Sequence, residues 1–82
     1  MNVTLSKQAE KYLDKCDAKT YMRLEKAIDD LTRGKGDVAR IEGRKNAYRL
    51  KKPPYRIIFQ PVGENDFYIE GIYPRGEAYK KG

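Results

Sequence analysis

The chain has 82 residues and a formal net charge of +6, with 18 Lys and Arg residues against 12 Asp and Glu. This length predicts one small domain that spans residues 1–82. Because the sequence has a single cysteine, Cys16, and no histidine, an internal disulfide is excluded, and a zinc site or histidine-based triad has almost no ligands. We expect Cys16 to be a small buried hydrophobe. No apolar run approaches the roughly 20 residues of a membrane span, so we expect a cytoplasmic protein that needs no membrane, metal or cofactor.

The first half of the chain predicts two helices after a short opening strand. Ser6 is a suitable N-cap, since its hydroxyl can accept a hydrogen bond from a helix amide, and a helix should follow to about Lys15. Asp17 can cap a second helix to roughly Arg33, where Gly34 supplies a stop. The very short break between them predicts an antiparallel helical hairpin. The mixed charges of this hairpin indicate a surface exposed to solvent, and we assign the hairpin no chemistry.

The second half of the chain predicts strands joined by turns. The predicted strands are residues 2–5, a brief strand at 39–43, the two strands of a hairpin over 48–59, and a last strand at 67–73. Pro53 and Pro54 cannot donate ladder hydrogen bonds, so they belong to the turn of the hairpin. Most strands follow the helices. We therefore predict an α+β fold in which the helical hairpin packs on a twisted, mainly antiparallel sheet of about four strands.

Cations alternate with apolar side chains along the hairpin. Successive side chains of a strand point to opposite faces, so Arg49 and Lys51 share one face, and Arg56 lies opposite its apolar neighbours. Between residues 40 and 56 there is one acid, Glu42, and seven cations: Arg40, Arg44, Lys45, Arg49, Lys51, Lys52 and Arg56. This charge should attract polyanions. The alternative is a solvated face that only keeps a small protein soluble.

Four short sequences occur in a characteristic order between residues 41 and 80. They are Ile41-Glu42-Gly43, Tyr48-Arg49-Leu50-Lys51, Tyr55-Arg56-Ile57-Ile58-Phe59, and Ile72-Tyr73-Pro74-Arg75-Gly76 with Tyr79-Lys80. Together with the order of helices and strands, they resemble the RelE/ParE toxin superfamily over essentially the whole chain. The resemblance implies the RelE/ParE-like fold. RelE-like toxins are ribosome-dependent endoribonucleases that cut messenger RNA in the A site, whereas ParE-like toxins poison DNA gyrase, and a shared fold does not choose between them.

The same resemblance implies the residues of a site. Those matched to catalytic positions of RelE-like toxins are Lys51, Arg56, Arg75 and Tyr79. Those expected to bind RNA are Arg49, Lys52, Arg44 and Lys45. Pro74 departs from the pattern, because many relatives have histidine at that position. Catalysis would then depend on lysine, arginine and tyrosine alone.

These residue types suit the cleavage of RNA by its own 2′-hydroxyl. The reaction builds negative charge on the phosphate and needs one proton removed and another donated. Arg56 and Arg75 keep their charge and match phosphate oxygens, so they suit stabilisation of the transition state. Lys51 is the better candidate for proton transfer, and Tyr79 can stack on a base or donate its hydroxyl proton. The structural alternatives are an ion pair of Arg75 with Glu77 or Glu70, and packing of Tyr79 on the sheet edge.

The sequence leaves three functions open. They are a metal-independent messenger RNA endoribonuclease acting on the ribosome, a ParE-like gyrase inhibitor, and a non-catalytic RNA-binding module. In both toxin interpretations the partner is a cognate antitoxin, whose acidic, amphipathic segment would complement residues 40–56.

Overall fold

The computed structural model describes residues 2–64 and 66–74. The elements in chain order are β1 (Val3–Leu5), α1 (Lys7–Lys15), α2 (Ala18–Thr32), β2 (Asp37–Arg40), β3 (Tyr48–Lys52), β4 (Tyr55–Val62) and β5 (Asp66–Pro74). The predicted α+β class, with the helices ahead of most strands, is confirmed. The sheet has five strands in the order β1-β5-β4-β3-β2, rather than about four.

The helix ends lie close to the predicted positions. The Ser6 hydroxyl oxygen accepts a hydrogen bond from the amide of Ala9 at 3.1 Å, as an N-cap should. Asp17 occupies the N-cap of α2, and Arg33 is its C-cap. Gly34 follows with φ +78°, a backbone conformation that glycine adopts without steric cost, and ends the helix.

The second strand begins earlier in the chain than the sequence pattern predicts. It covers Asp37–Arg40 instead of residues 39–43. Its first residue, Asp37, pairs with Lys51 of β3, and its last residue, Arg40, pairs with Tyr48. The amide of Ile41 then donates to the carbonyl of Ala47 at 3.0 Å and closes the connection between β2 and β3. Residues 41–43 therefore belong to a loop.

The opening strand supplies the additional edge of the sheet. β1 runs parallel to β5, whereas the other paired strands are antiparallel. β1 ends at Leu5, where the chain bends to begin α1. Beyond that point, among the residues that the structure describes, β5 has no strand beside it on this side, and a side chain of α1 bonds to its backbone instead. The Gln8 side chain donates from Nε2 to the carbonyl of Ile72 at 2.9 Å and accepts from the Ile72 amide at 2.8 Å. These bonds satisfy backbone groups of β5 that would otherwise lack partners.

Both helices pack on one face of the sheet and bury the core. The largest fully buried side chains are Leu24 of α2 and Ile57, Ile69 and Ile72 of the central strands. Leu13 of α1 is also buried and belongs to the same cluster. We call the opposite face of the sheet the outer face. Because strand side chains alternate, the residues between these core positions project onto it.

Cys16 lies at the end of α1, beside the core. It is half-buried and packs against the core cluster, and its Sγ donates to the carbonyl of Tyr12 at 3.1 Å. Burial, and secondarily the Asp17 carboxylate, raises the pKa of the Cys16 thiol. The protonated form is thereby favoured, and it is a poor nucleophile.

Within the described ranges, no helix combines the length and apolarity needed to cross a membrane.

Candidate functional site

The antiparallel register forms one row of side chains across four strands on the outer face. Lys51 of β3 pairs with Arg56 of β4, and Arg56 pairs with Tyr73 of β5. Asp37 of β2 pairs with Lys51 and completes the row at the sheet edge. The Cβ atoms of directly paired residues lie about 5 Å apart. The row therefore places two cations side by side, with a phenol on one flank and a carboxylate on the other.

A second row lies next to the first on the same face. Arg49 pairs with Ile58, and Ile58 pairs with Gly71. Because Arg49 and Lys51 are two residues apart on β3, their Cα atoms are separated by about 7 Å. The predicted gathering of Arg49, Lys51 and Arg56 on the face opposite the helices is confirmed, while their individual roles stay predictions. We call these three residues the basic cluster.

Lys52 lies apart from the basic cluster. It pairs with Tyr55, and the strand alternation turns it toward the face that the helices cover. There it borders a groove of about 420 Å³ whose lining includes Ala27 and Asp30 of α2, and also Lys51. Strand alternation directs the neighbouring Lys51 and Lys52 to opposite faces of the sheet, although both border this groove.

The other predicted RNA-binding residues, Arg44 and Lys45, belong to the loop between β2 and β3 and are exposed. Arg44 reaches across the outer face to Glu70 of β5. Its Nη1 lies 3.0 Å from Oε1 and its Nη2 lies 2.6 Å from Oε2 of the carboxylate. Gln60 of β4 also donates to Oε2. A phosphate would therefore have to compete with a two-point carboxylate contact for Arg44.

The charge state of Glu70 follows from this network. The hydrogen bond from Arg44 lowers the pKa of Glu70, and it outweighs the opposing effect of burial. The hydrogen bond from Gln60 acts in the same direction as that of Arg44. The carboxylate is therefore ionised at neutral pH and holds Arg44 against the sheet.

An irregularity in the ladder explains how Glu70 reaches this position. Phe59 pairs with Ile69 and Ile58 pairs with Gly71, so Glu70 is an extra residue on β5. A bulge of this kind re-aims side chains and increases local twist. The sequence carries a local sign of this extra residue, because the apolar positions Ile69 and Ile72 are three residues apart instead of two and Gly71 lies between them. That sign does not identify Arg44 as the partner of Glu70.

The sequence pattern did not single out Tyr73 as a functional residue. A Cβ atom on Gly71 would lie 2.5 Å from the Tyr73 hydroxyl oxygen and 2.7 Å from its Cε2 and Cζ atoms. The phenol of Tyr73 therefore lies directly over Gly71, in the space that glycine leaves open. The available signal was the spacing Gly71-Ile72-Tyr73, because a strand glycine often permits close approach by a neighbouring group.

Arg75 and Tyr79, two of the predicted catalytic residues, lie outside the described residues. Pro74, the last residue of β5, pairs with Tyr55. The described part of β5 thus ends beside the hairpin turn, at the same end of the sheet as Lys51 and Arg56.

No group of three Cys, Asp or Glu side chains that could hold a metal ion occurs within residues 2–64 and 66–74.

Comparisons with known proteins agree with this architecture. A scan against family models and a search of curated proteins gave no match. Among solved structures, a chain of the archaeal RelE-RelB complex from Pyrococcus horikoshii is 28% identical, with TM-score 0.73, covering 93% of this chain and 96% of that chain. A chain of the RelB-RelE complex from Methanococcus jannaschii is 21% identical, with TM-score 0.73 and coverage of 93% and 94%. The isolated E. coli RelE toxin is 21% identical, with TM-score 0.68 and coverage of 94% and 88%.

The two helices on a five-stranded sheet, with a basic outer face, define a small α+β protein with the RelE fold. The likeness extends over nearly the full length of both chains, and with the Pyrococcus horikoshii protein it includes the sequence. The 28% identity with the Pyrococcus horikoshii chain, together with the shared fold, supports the RelE toxin superfamily.

Proposed function

We propose that this protein is the toxin of a type II toxin–antitoxin system and acts as a ribosome-dependent endoribonuclease on messenger RNA in the A site. The observation that carries the proposal is the pairing of Lys51 with Arg56 on the outer face of a RelE fold. Two adjacent cations at the end of a rigid hairpin can hold one phosphate between them. The resemblance in sequence supports the same reaction class.

In the proposed reaction, the ribose 2′-oxygen attacks the adjacent phosphorus and the bond from phosphorus to the 5′-oxygen breaks. The products are a 2′,3′-cyclic phosphate and a 5′-hydroxyl. Lys51, as the neutral amine, accepts the proton of the 2′-hydroxyl. Arg56 and Arg75 bind the phosphate oxygens as negative charge develops on them. Tyr79 donates a proton to the leaving 5′-oxygen or stacks on a base. No metal or cofactor takes part.

The remaining basic residues would position the RNA. Arg49 lies two residues from Lys51 along β3, on the same face, and is suited to the next phosphate along the RNA. Arg44 and Lys45 would add charge around this path, whereas Lys52, which points to the helix side of the sheet, would contribute only to the longer-range positive field. Such contacts fix the register of an RNA without reading its sequence.

We further propose a cognate antitoxin as the protein partner. Four of the similar structures are toxin–antitoxin complexes of the RelE-RelB kind. A segment of acidic and apolar residues would complement the basic cluster and cover apolar surface. An acidic reading frame next to the gene for this chain would support the proposal.

The test is cleavage in a translation extract, with RNA 5′ ends mapped after addition of purified protein. We expect cuts within the A-site codon, and a loss of about 10²–10³ in rate for Arg56→Ala. Lys19→Ala is the control, because it removes the same charge from an exposed site on α2.

Other outcomes would overturn the proposal in distinct ways. Intact messages with stalled gyrase cleavage complexes would indicate a gyrase inhibitor. Salt-sensitive RNA binding without any product would indicate a non-catalytic module. Full activity of Arg56→Ala would remove the basic cluster from the mechanism.

A further inference from the structure

We propose that Tyr73 forms a stacking subsite for one nucleobase of the bound RNA, next to the phosphate that Arg56 holds. The inference rests on the proposed function and deepens it, because it adds a contact to a base where the basic cluster provides contacts to phosphate.

The position of Tyr73 relative to Arg56 is the first argument. The two residues pair directly across β4 and β5 and project onto the same face. A phosphate held by Arg56 is followed along the RNA by a base within reach of an adjacent aromatic ring. Aromatic side chains placed beside cations are the usual means by which single-stranded nucleic acid is bound.

The contact between the Tyr73 ring and the backbone at Gly71 is the second argument. The phenol lies over Gly71, where a Cβ atom would come within 2.5 Å of its hydroxyl oxygen. One side of the ring is therefore supported by the backbone of β5, and Tyr73 as a whole is only half-buried. A ring that is already held in place loses little conformational entropy when a base stacks on it.

Tyr68 provides an internal comparison. It lies on the same strand and the same face and is also half-buried, but its paired neighbours are Gln60 and Thr4. Tyr73 instead has the basic cluster beside it. If both tyrosines only cover the sheet, their replacement should affect RNA binding equally little. If Tyr73 stacks on a base, the two positions should differ.

The experiment measures binding of the labelled full-length protein to ribosomes programmed with a messenger RNA that cannot be cleaved. A 2′-deoxynucleotide at the cut position removes the attacking hydroxyl. An abasic nucleotide is then placed at each A-site codon position in turn, and each RNA is combined with wild type, Tyr73→Leu and Tyr68→Leu. This design gives a double-mutant cycle between the tyrosine and the base.

We expect Tyr73→Leu to weaken binding by roughly 5- to 150-fold, as is typical of lost base stacking. One abasic position should weaken wild-type binding by a similar factor and leave Tyr73→Leu unaffected. Tyr73→Phe should bind like wild type because it keeps the ring, and Tyr68→Leu should bind like wild type. Additive losses, or unchanged binding by Tyr73→Leu, would overturn the stacking subsite.

A second variant keeps the tyrosine and moves it. Gly71→Ala places a methyl group where the phenol now lies, so the ring must shift. We expect Gly71→Ala to weaken binding, and Gly71→Ala combined with Tyr73→Leu to bind no worse than Tyr73→Leu alone. Urea unfolding of each variant shows whether the fold is retained.

The outcomes also separate this inference from the proposed function. If Arg56→Ala weakens binding to every RNA while Tyr73→Leu does not, the stacking subsite fails and the function stands. If wild-type protein does not bind programmed ribosomes, both fail.

Discussion

The guanidinium of Arg44 and the carboxylate of Glu70 form a two-point ion pair across the outer face, with contacts of 3.0 Å and 2.6 Å. Arg44 lies in the loop between β2 and β3, whereas Glu70 lies on β5, at the far side of β4. The pair therefore fixes this loop to β5, across the intervening β4. Both side chains keep some solvent contact, with 46% of Arg44 and 23% of Glu70 exposed, so solvent screens part of their attraction.

We predict that Arg44→Gln lowers the stability of the protein and reduces its dependence on acid pH. The pKa of Glu70 is lowered in the folded protein, so its contribution is fully present above the pKa of an unfolded glutamate, about 4.3. The contribution is lost as pH falls from there through the lower folded value. Near pH 6 we expect a cost of about 1 kcal/mol. Urea unfolding between pH 6 and pH 3 measures it.

Lys45→Gln is the control for this prediction, since it removes a charge from the same loop. Its pH dependence should follow that of the wild type. If the stability difference between Arg44→Gln and wild type stays constant down to pH 3, the Glu70 carboxylate is not the partner that titrates.

Gln8 is predicted to stabilise the edge of β5. Gln8→Ala removes both hydrogen bonds to the backbone of Ile72 and leaves that amide and carbonyl without their partner, which should cost about 1–3 kcal/mol. Hydrogen exchange should report the site directly, because the Ile72 amide should lose protection. Lys11→Ala, at an exposed position of the same helix, should leave that amide unchanged. Equal protection of Ile72 in Gln8→Ala and wild type would contradict the prediction.

Lys51 and Lys52 allow a test of whether activity depends on the outer face, because replacing either lysine removes the same charge from the protein. The residues are adjacent, but only Lys51 projects onto the face of the basic cluster. Under the proposed function, Lys51→Ala should therefore reduce A-site cleavage far more than Lys52→Ala. Initial rates of cleavage in the translation extract give the comparison. Equal losses would mean that total charge, not its placement on one face, determines the activity.

Ile57 should be among the residues on which folding depends most. Its side chain is fully buried at 0% exposure, and Ile57→Ala should cost about 2–5 kcal/mol through lost burial and the cavity left behind. Because a domain of this size has little stability to lose, we expect a large unfolded fraction at room temperature. Val62 lies on the same strand and is 49% exposed, so Val62→Ala should change the unfolding midpoint little.

The sequence by itself determined the elements whose signals are local. Ser6 and Gly34 mark helix ends through the backbone groups that they satisfy or the conformation that they permit, and these effects act within one turn. The alternation of Arg49 and Lys51 with apolar residues likewise requires only the two-residue period of a strand. These signals predicted the α+β class and the face that the basic cluster occupies.

Only the tertiary structure decided which distant residues meet. The parallel pairing of β1 with β5 made five strands instead of about four. The extra residue at Glu70 brought that carboxylate to Arg44. The register of β4 and β5 placed Tyr73 beside Arg56. Such contacts depend on cross-strand register and bulges, which are settled by the packing of the whole sheet. The sequence could therefore predict a basic face, but not the phenol and the ion pair that lie on it.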